Sequence, residues 1–298
     1  MDFAYSVKQV LPNEYNYINH INQFLESLDL RPDLVQEYGV IYNQKQIIGV
    51  IGRYLNNLKC LGVSPSYQGY NLANTLVTYM IEKIYQQGFN EVFVFTKPVY
   101  EELFQQLGFE LIVKNEKALF LTNRYDYFQN YLQYLRSQKQ PTELNGVIVL
   151  NANPFTKGHQ YLIKKASEQM ECVYLILVKE EASLFTYQQR LTMTKLGTKY
   201  LRNVVVLEGS YYLVSKNIFP SYFLPSVTEV IKTQTQLDTQ IFLNYFVPLL
   251  RIKKRFVGEE PFSKTTNLYN ETMRSMMRNN NFDLVKPCDL WCEIIILI

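Results

Sequence analysis

The sequence predicts two α/β modules in series, a mixed sheet followed by a Rossmann-like, doubly wound parallel sheet. Three observations lead there. At 298 residues the chain is long for one domain and comfortable for two. Before residue 125, short apolar runs are broken by turn signals, whereas after residue 144 buried-looking strands alternate with helices. Between the two regimes lies a polar helical stretch closed by Lys139-Gln140-Pro141-Thr142, a good boundary because proline and its neighbours end regular structure. The expected division is therefore 1–124, a connecting helix and linker over 125–143, and 144–298, the last reading as shortened at its C-terminal end.

The elements follow in order. Val40-Ile41-Tyr42, the polar Asn43-Gln44-Lys45-Gln46 and Ile47 to Ile51 form a hairpin pattern. Leu58 to Val63 continues as a strand. Leu72, Leu76, Met80, Ile81 and Ile84 recur at helical spacing, and that helix ends at Gly88. Glu91 to Phe95 is a strand, Tyr100 to Leu107 a short helix, and Gly108 to Val113 with Ala118 to Thr122 a last hairpin. In the second module a strand over Gly146 to Leu150 leads to a helix from Gly158. A strand over Cys172 to Val178, a helix from Tyr187 and a strand over Val204 to Leu207 come next. A helix around Leu237 to Leu250, a strand over Arg255 to Val257, a helix over Thr265 to Arg278 and an apolar run from Glu293 to Ile298 complete the pattern. Strands this apolar, alternating with helices, belong to a parallel sheet covered on both faces.

Composition narrows the function. Hydrophobic residues are 47% and charged residues 19%, which is globular and not disordered. Thirty basic residues against 27 acidic ones leave a net charge of only +3, which argues against a dedicated nucleic-acid binder and leaves room for a local basic patch that holds a nucleotide. No segment approaches the roughly 18 apolar residues of a membrane span. The first residues carry Asp2, Lys8 and Glu14 and form no secretory signal. Cys60, Cys172, Cys288 and Cys292 make no disulfide framework, and the last two lack the further ligands that a zinc ion needs, so no metal site is expected. The reading is a soluble protein of the reducing cytoplasm.

The most informative stretch is Val147-Ile148-Val149-Leu150-Asn151-Ala152-Asn153-Pro154-Phe155-Thr156-Lys157-Gly158-His159. A buried strand runs into a polar turn and a helix begins at its end. Parallel sheets bind ligands beyond the carboxyl ends of their strands, and a helix N-terminus there offers N–H groups to phosphate. Gly158 permits close backbone approach, while Thr156 and His159 bring polar groups to the same place. The other histidine, His20, falls in a surface helix and reads as structural.

This stretch resembles the [His/Thr]-x-Gly-His signature of the nucleotidyltransferase superfamily, with Thr156 first. Further blocks extend the likeness. The run from Val178 to Arg190, including Ser183, resembles the loop and helix after the second strand of citrate lyase ligases. Gly209-Ser210-Tyr211-Tyr212 and Phe219-Pro220-Ser221-Tyr222-Phe223 resemble the segment that follows there. Phe256-Val257-Gly258-Glu259-Glu260-Pro261-Phe262, with Thr266, Asn267, Tyr269 and Asn270, resembles their Gly-x-Glu-Pro-Phe block. The resemblance implies catalytic roles for Thr156 and His159. It implies ATP contacts at Asn151, Ala152, Asn153, Phe155, Gly158, Ser183, Arg190, Gly258, Glu260 and Pro261.

In the first module, Val63-Ser64-Pro65-Ser66-Tyr67-Gln68-Gly69-Tyr70-Asn71-Leu72-Ala73 joins a strand to a helix. It is similar to the pyrophosphate loop of GNAT acetyltransferases, whose backbone N–H groups hold a coenzyme A arm. Gln68, Gly69, Tyr70, Asn71 and Ala73 are thereby implied as a site for a pantetheine or coenzyme-A-like arm. Asn71 stands where that loop carries a glycine. Leu107-Gly108-Phe109 matches a later GNAT signature, and Phe104 stands where many acetyltransferases have a tyrosine acid. This module is either an arm-binding unit or a purely structural docking unit.

Taken together, the resemblances imply an acid–thiol ligase forming AMP. ATP, acetate and the thiol form of citrate lyase would give AMP, pyrophosphate and acetyl citrate lyase through an acetyl-adenylate. Mg²⁺ and the lyase's acyl carrier subunit are the implied metal cofactor and partner. Two other readings stay open. One is AMP transfer to another small acceptor. The other is a chain that binds nucleotide without turning it over, because the superfamily's late Ser/Thr-rich segment ending in Arg has no counterpart before Ile298.

Overall fold

A computed structural model describes residues 5–179, 184–213, 219–258 and 264–285. The chain forms two compact units, Met1–Tyr127 with Ile218–Thr233, and Phe128–Asn217 with Gln234–Ile298. A single cut in the sequence therefore does not describe them, because a segment beyond residue 217 returns to the first unit.

The first unit is built from β1 (Val7–Val10), α1 (Tyr15–Glu26), β2 (Glu37–Asn43), β3 (Gln46–Tyr54), β4 (Asn57–Val63), α2 (Leu72–Gln86), β5 (Phe93–Thr96), α3 (Glu101–Gln106), β6 (Glu110–Lys114) and β7 (Leu119–Thr122). Its sheet has the order β1-β2-β3-β4-β5-β7-β6. The β4–β5 pair is parallel and the other pairs are antiparallel, so the sheet is mixed as expected. α2 buries Leu72, Leu76, Val77, Met80 and Ile84, one stripe at helical spacing, against Ile41, Ile48, Ile51, Val94 and Leu121. His20 is exposed on α1. β1 was not expected, since Val-Lys-Gln-Val is too short to show a period; it exists because β2 offers it an antiparallel edge.

The chain continues through α4 (Tyr125–Ser137), β8 (Asn145–Leu150), α5 (Lys157–Ser167), β9 (Cys172–Leu177), α6 (Tyr187–Thr198), β10 (Val204–Glu208), α7 (Val227–Ile241), α8 (Val247–Leu250), β11 (Ile252–Phe256), α9 (Lys264–Asn279) and β12 (Asp283–Val285), all in the second unit except the starts of α4 and α7, which belong to the first. The second unit's sheet is parallel throughout, in the order β10-β9-β8-β11-β12. β9 is buried along its whole length, which explains the unbroken apolar run Cys-Val-Tyr-Leu-Ile-Leu. Ile148, Leu150, Leu175 and Leu177 pack against Leu162, Ile163 and Ala166 of α5, Leu191 of α6 and Phe256 of β11.

The helix before β11 begins ten residues earlier than its apolar spacing suggests, because Thr233, Thr235 and Thr239 are buried alongside Leu237 and Ile241. A π-helical turn over Phe242–Phe246 joins it to α8. β11 starts at Ile252, and β12 adds a short parallel edge that sequence patterning did not reveal. Among the described residues no helix is long and apolar enough to cross a membrane.

Candidate nucleotide site

In the second sheet the chain steps from β8 to β9 to β10, then crosses to the opposite side of β8 to form β11. That reversal opens a crevice beyond the carboxyl ends of β8 and β11, the usual ligand position in a doubly wound sheet. The turn Asn151–Thr156 leaves β8 there, and Gly258 leaves β11 two residues after its last paired position.

The head of α5 is closed by a reciprocal cap. Thr156 has extended backbone (φ −114°, ψ 171°) and its Oγ1 accepts from the His159 N–H at 3.4 Å. The Thr156 N–H donates to His159 Nδ1 at 3.0 Å, and Thr156 Oγ1 lies 2.8 Å from the same nitrogen. This is the geometry of a capping box with histidine in place of the usual Glu or Gln. Because Nδ1 accepts from a backbone amide, the neutral ring carries its proton on Nε2. His159 is thus a fixed donor beside the N-terminus of an 11-residue helix, where partial positive charge favours phosphate.

The turn is braced from beneath. Phe155 stacks on the His159 ring at 5.7 Å between centroids, tilted by 21°. An edge of the Phe155 ring lies over Gly197 of α6, where a Cβ would stand 2.3 Å from that ring, so only glycine leaves room. Gln160 Nε2 donates to the Gly197 carbonyl at 3.0 Å and ties α5 to α6. Ala152 takes the left-handed conformation (φ 51°) with its methyl buried in the core beneath the turn. Asn153 Oδ1 accepts from the Phe185 N–H at 3.1 Å, joining this turn to the segment before α6.

Arg190 is the largest fully buried side chain among the described residues, at 0% exposure. Its Nη1 donates to Asn151 O at 2.7 Å, Asn151 Oδ1 at 2.8 Å and Val178 O at 3.1 Å, and its Nε to Phe185 O at 3.3 Å. The guanidinium therefore sits under the loops that leave β8 and β9. The sequence does not reveal this burial: Arg190 reads there as an ATP contact implied by the resemblance, or as a solvated helix charge. Thr186 and Gln189 form a second capping box at the start of α6.

Gly258 is exposed, accepts from Asn270 Nδ2 at 3.3 Å, and would place a Cβ 3.9 Å from Leu162 of α5. It thus stands beside α5 at the same crevice. Ser183, Glu260 and Pro261 lie outside the described residues, as do Cys288 and Cys292. At the far side of β9, Gly209 lies so close to the Leu177 carbonyl that a Cβ would be 1.9 Å from its oxygen. The Gly209 N–H donates to Tyr187 Oη at 3.0 Å, and burial pushes that phenol up to about 12, keeping it neutral.

In the first unit the loop Gln68–Asn71 is exposed between β4 and α2. Gly69 (φ 89°) and Asn71 (φ 61°) both take left-handed backbone, and Asn71 is the N-cap of α2 without a side-chain cap bond. This loop belongs to the first unit and the Thr156–His159 turn to the second.

A model of the citrate lyase ligase C-terminal domain matches residues 145–288, and a model of the acetyltransferase (GNAT) domain matches residues 14–119. The citrate (pro-3S)-lyase ligase of Escherichia coli (strain K12) is 36% identical over 268 residues, covering 89% of this chain and 76% of that protein. The Klebsiella pneumoniae ligase is 36% identical, covering 86% of this chain and 76% of that protein. The Haemophilus influenzae ligase is 33% identical, covering 88% of this chain and 79% of that protein. The chain belongs to the citrate lyase ligase family.

Within this chain, the family model spans the whole candidate site just described, from β8 at residue 145 past Gly258. Among the described residues no three His, Cys, Asp or Glu side chains come together as a metal cluster.

Proposed function

We propose that this chain acetylates the thiol prosthetic group of citrate lyase at the expense of ATP. An acetate oxygen bonds to the α-phosphorus, the α-phosphorus–oxygen bond to the β-phosphate breaks, and pyrophosphate leaves. The sulfur of the carrier thiolate then bonds to the acetyl carbon, the carbon–oxygen bond to phosphate breaks, and AMP leaves. Acetate is ionised at neutral pH, so the first step needs no general base. It needs alignment and donors for the charge that builds on the α-phosphate.

The observation that carries this reading is the Thr156–His159 cap at the sheet's reversal point. It turns a helix N-terminus and one Nε2–H donor toward anion chemistry. In this reading His159 stabilises the α-phosphate and Thr156 fixes the His159 ring. Gly158 and Gly258 permit close approach of the nucleotide, and Asn151, Ala152, Asn153 and Phe155 shape the turn that receives it. Ser183, Glu260 and Pro261 would add ATP contacts, and Mg²⁺ would enter with the ATP phosphates. Gln68, Gly69, Tyr70, Asn71 and Ala73 would receive the carrier's pantetheine-like arm. The test incubates the chain with the thiol form of citrate lyase, ATP, Mg²⁺ and acetate, and reads the acyl carrier subunit by mass spectrometry. Acetylation that requires both ATP and acetate is the expected result; an unmodified carrier would reject the proposal.

A further inference from the structure

The first unit's sheet has an open seam, and the chain fills it with its own residues. β4 and β5 are paired only at Asn57 with Phe93 and Leu58 with Val94. The Phe93 N–H still reaches Asn56 O at 2.9 Å. Two residues on, the Phe95 carbonyl faces the same side, because alternate residues of a strand point their backbone groups alike. There β4 no longer follows. Its register against β3 shifts at this level, and Cys60 takes left-handed backbone (φ 53°). A carbonyl left open along a strand edge is what an extended, amide-bearing ligand adds to.

In place of such a ligand, the Tyr222 phenol donates to Phe95 O at 3.2 Å, and Tyr222 is only 6% exposed. Phe219 meets the Phe95 ring edge-on at 5.3 Å. The Ser221 N–H donates to Asp33 Oδ2 at 2.7 Å, while Asp33 Oδ1 takes the buried Lys59 ammonium at 3.3 Å. The Arg31 N–H donates to Tyr222 O at 2.8 Å, and its guanidinium reaches the carbonyls of Ser221, Leu224 and Pro225. Lys117 pairs with Glu229 further along. The segment is thus pinned by a buried ion pair on one side and an arginine on the other. Phe104, edge-on to Phe109 in the core, supplies no hydroxyl acid to this sheet.

We propose that residues 219–225 are a resident occupant of the β4–β5 seam and that Tyr222 sets acyl-donor specificity by keeping coenzyme A thioesters out of it. The first unit then transfers no acetyl group from coenzyme A, whatever its loop at Gln68–Ala73 binds on the surface. The inference rests on the first unit alone and stands apart from the adenylate chemistry of the second.

Cys60 reports the seam. It is 0% exposed, and burial pushes its thiol up to about 12. Alkylation of the full chain by N-ethylmaleimide, followed peptide by peptide with and without coenzyme A, tests the proposal. In the unaltered chain Cys60 should resist labelling, and coenzyme A should change nothing. In Tyr222→Ala, Cys60 should label about tenfold or more faster, as local opening becomes easier, and coenzyme A should restore protection. Restored protection distinguishes an opened seam from an unfolded unit. Should Tyr222→Ala lose its cooperative thermal transition, Tyr222→Phe decides. It keeps the ring, loses the bond to Phe95, and should label about three- to tenfold faster than the unaltered chain. Coenzyme A slowing Cys60 labelling in the unaltered chain, equal labelling rates in a folded variant, or no renewed protection in folded Tyr222→Ala would each overturn the proposal.

Discussion

Thr156 and His159 do two jobs with the same atoms. Their mutual bonds close the head of α5, and those bonds also set which imidazole nitrogen carries the proton. Thr156→Ala removes a cap worth about 1 kcal/mol and frees the ring, whereas Thr156→Ser keeps the oxygen. Formation of acetyl-adenylate in a single turnover should fall clearly in Thr156→Ala and little in Thr156→Ser. His159→Gln should cost about 100- to 1,000-fold, the usual loss for one charge-stabilising donor. Near-normal turnover in His159→Gln would remove the site from this helix. Arg190 makes a separate prediction. Its donors serve the carbonyls of Asn151, Val178 and Phe185, and each carbonyl left without one costs about 1–3 kcal/mol. Arg190→Met should therefore lower the melting temperature and raise KM for ATP together, with Arg190→Lys intermediate because one ammonium cannot span the same acceptors. Weakened ATP binding at an unchanged melting temperature would instead make Arg190 a phosphate ligand.

At the level of elements, the strand-turn-helix unit that carries the site is set by contacts at both ends. Its lower end is held by Glu171, whose carboxylate accepts from the N–H groups of Glu143 at 2.9 Å and Leu144 at 3.1 Å, joining the entries of β8 and β9. Those two donors hold the carboxyl below its ordinary range. A carboxyl lowered in the folded state contributes stability above its unfolded value of about 4.3, and that contribution is lost as pH falls through the lower folded value. The melting-temperature gap between the unaltered chain and Glu171→Gln should be widest near about pH 7 and close toward about pH 3. A gap independent of pH would contradict this. Much of this unit was legible beforehand, since Val147–Leu150 and the turn at Pro154 change the period where the strand ends. β12 was not legible, because three residues show no period and only the edge of β11 defines them. The start of α7 was hidden for a different reason: its threonines are weak helix formers that carry no apolar period, yet packing buries Thr233, Thr235 and Thr239.

Over the whole molecule, alternation of strands and helices revealed two sheets, but not which residues belong to which unit. Residues 219–225 lie in sequence between β10 and α7 of the second sheet, yet they pack on β5 of the first. Nothing local in Phe-Pro-Ser-Tyr-Phe-Leu-Pro announces that, because its partners Arg31, Asp33 and Phe95 are more than a hundred residues away. The burial of Arg190 was equally invisible, since its acceptors are backbone carbonyls that a sequence does not display. The chain belongs to the citrate lyase ligase family, and the candidate helix α5 starts at the reversal point of the second sheet. The most direct measurement is ATP–pyrophosphate exchange on the purified chain with Mg²⁺, with and without acetate. Exchange that appears only with acetate is the predicted result. Exchange without acetate, or none from a folded chain that still binds ATP, would contradict acyl-adenylate formation at this site.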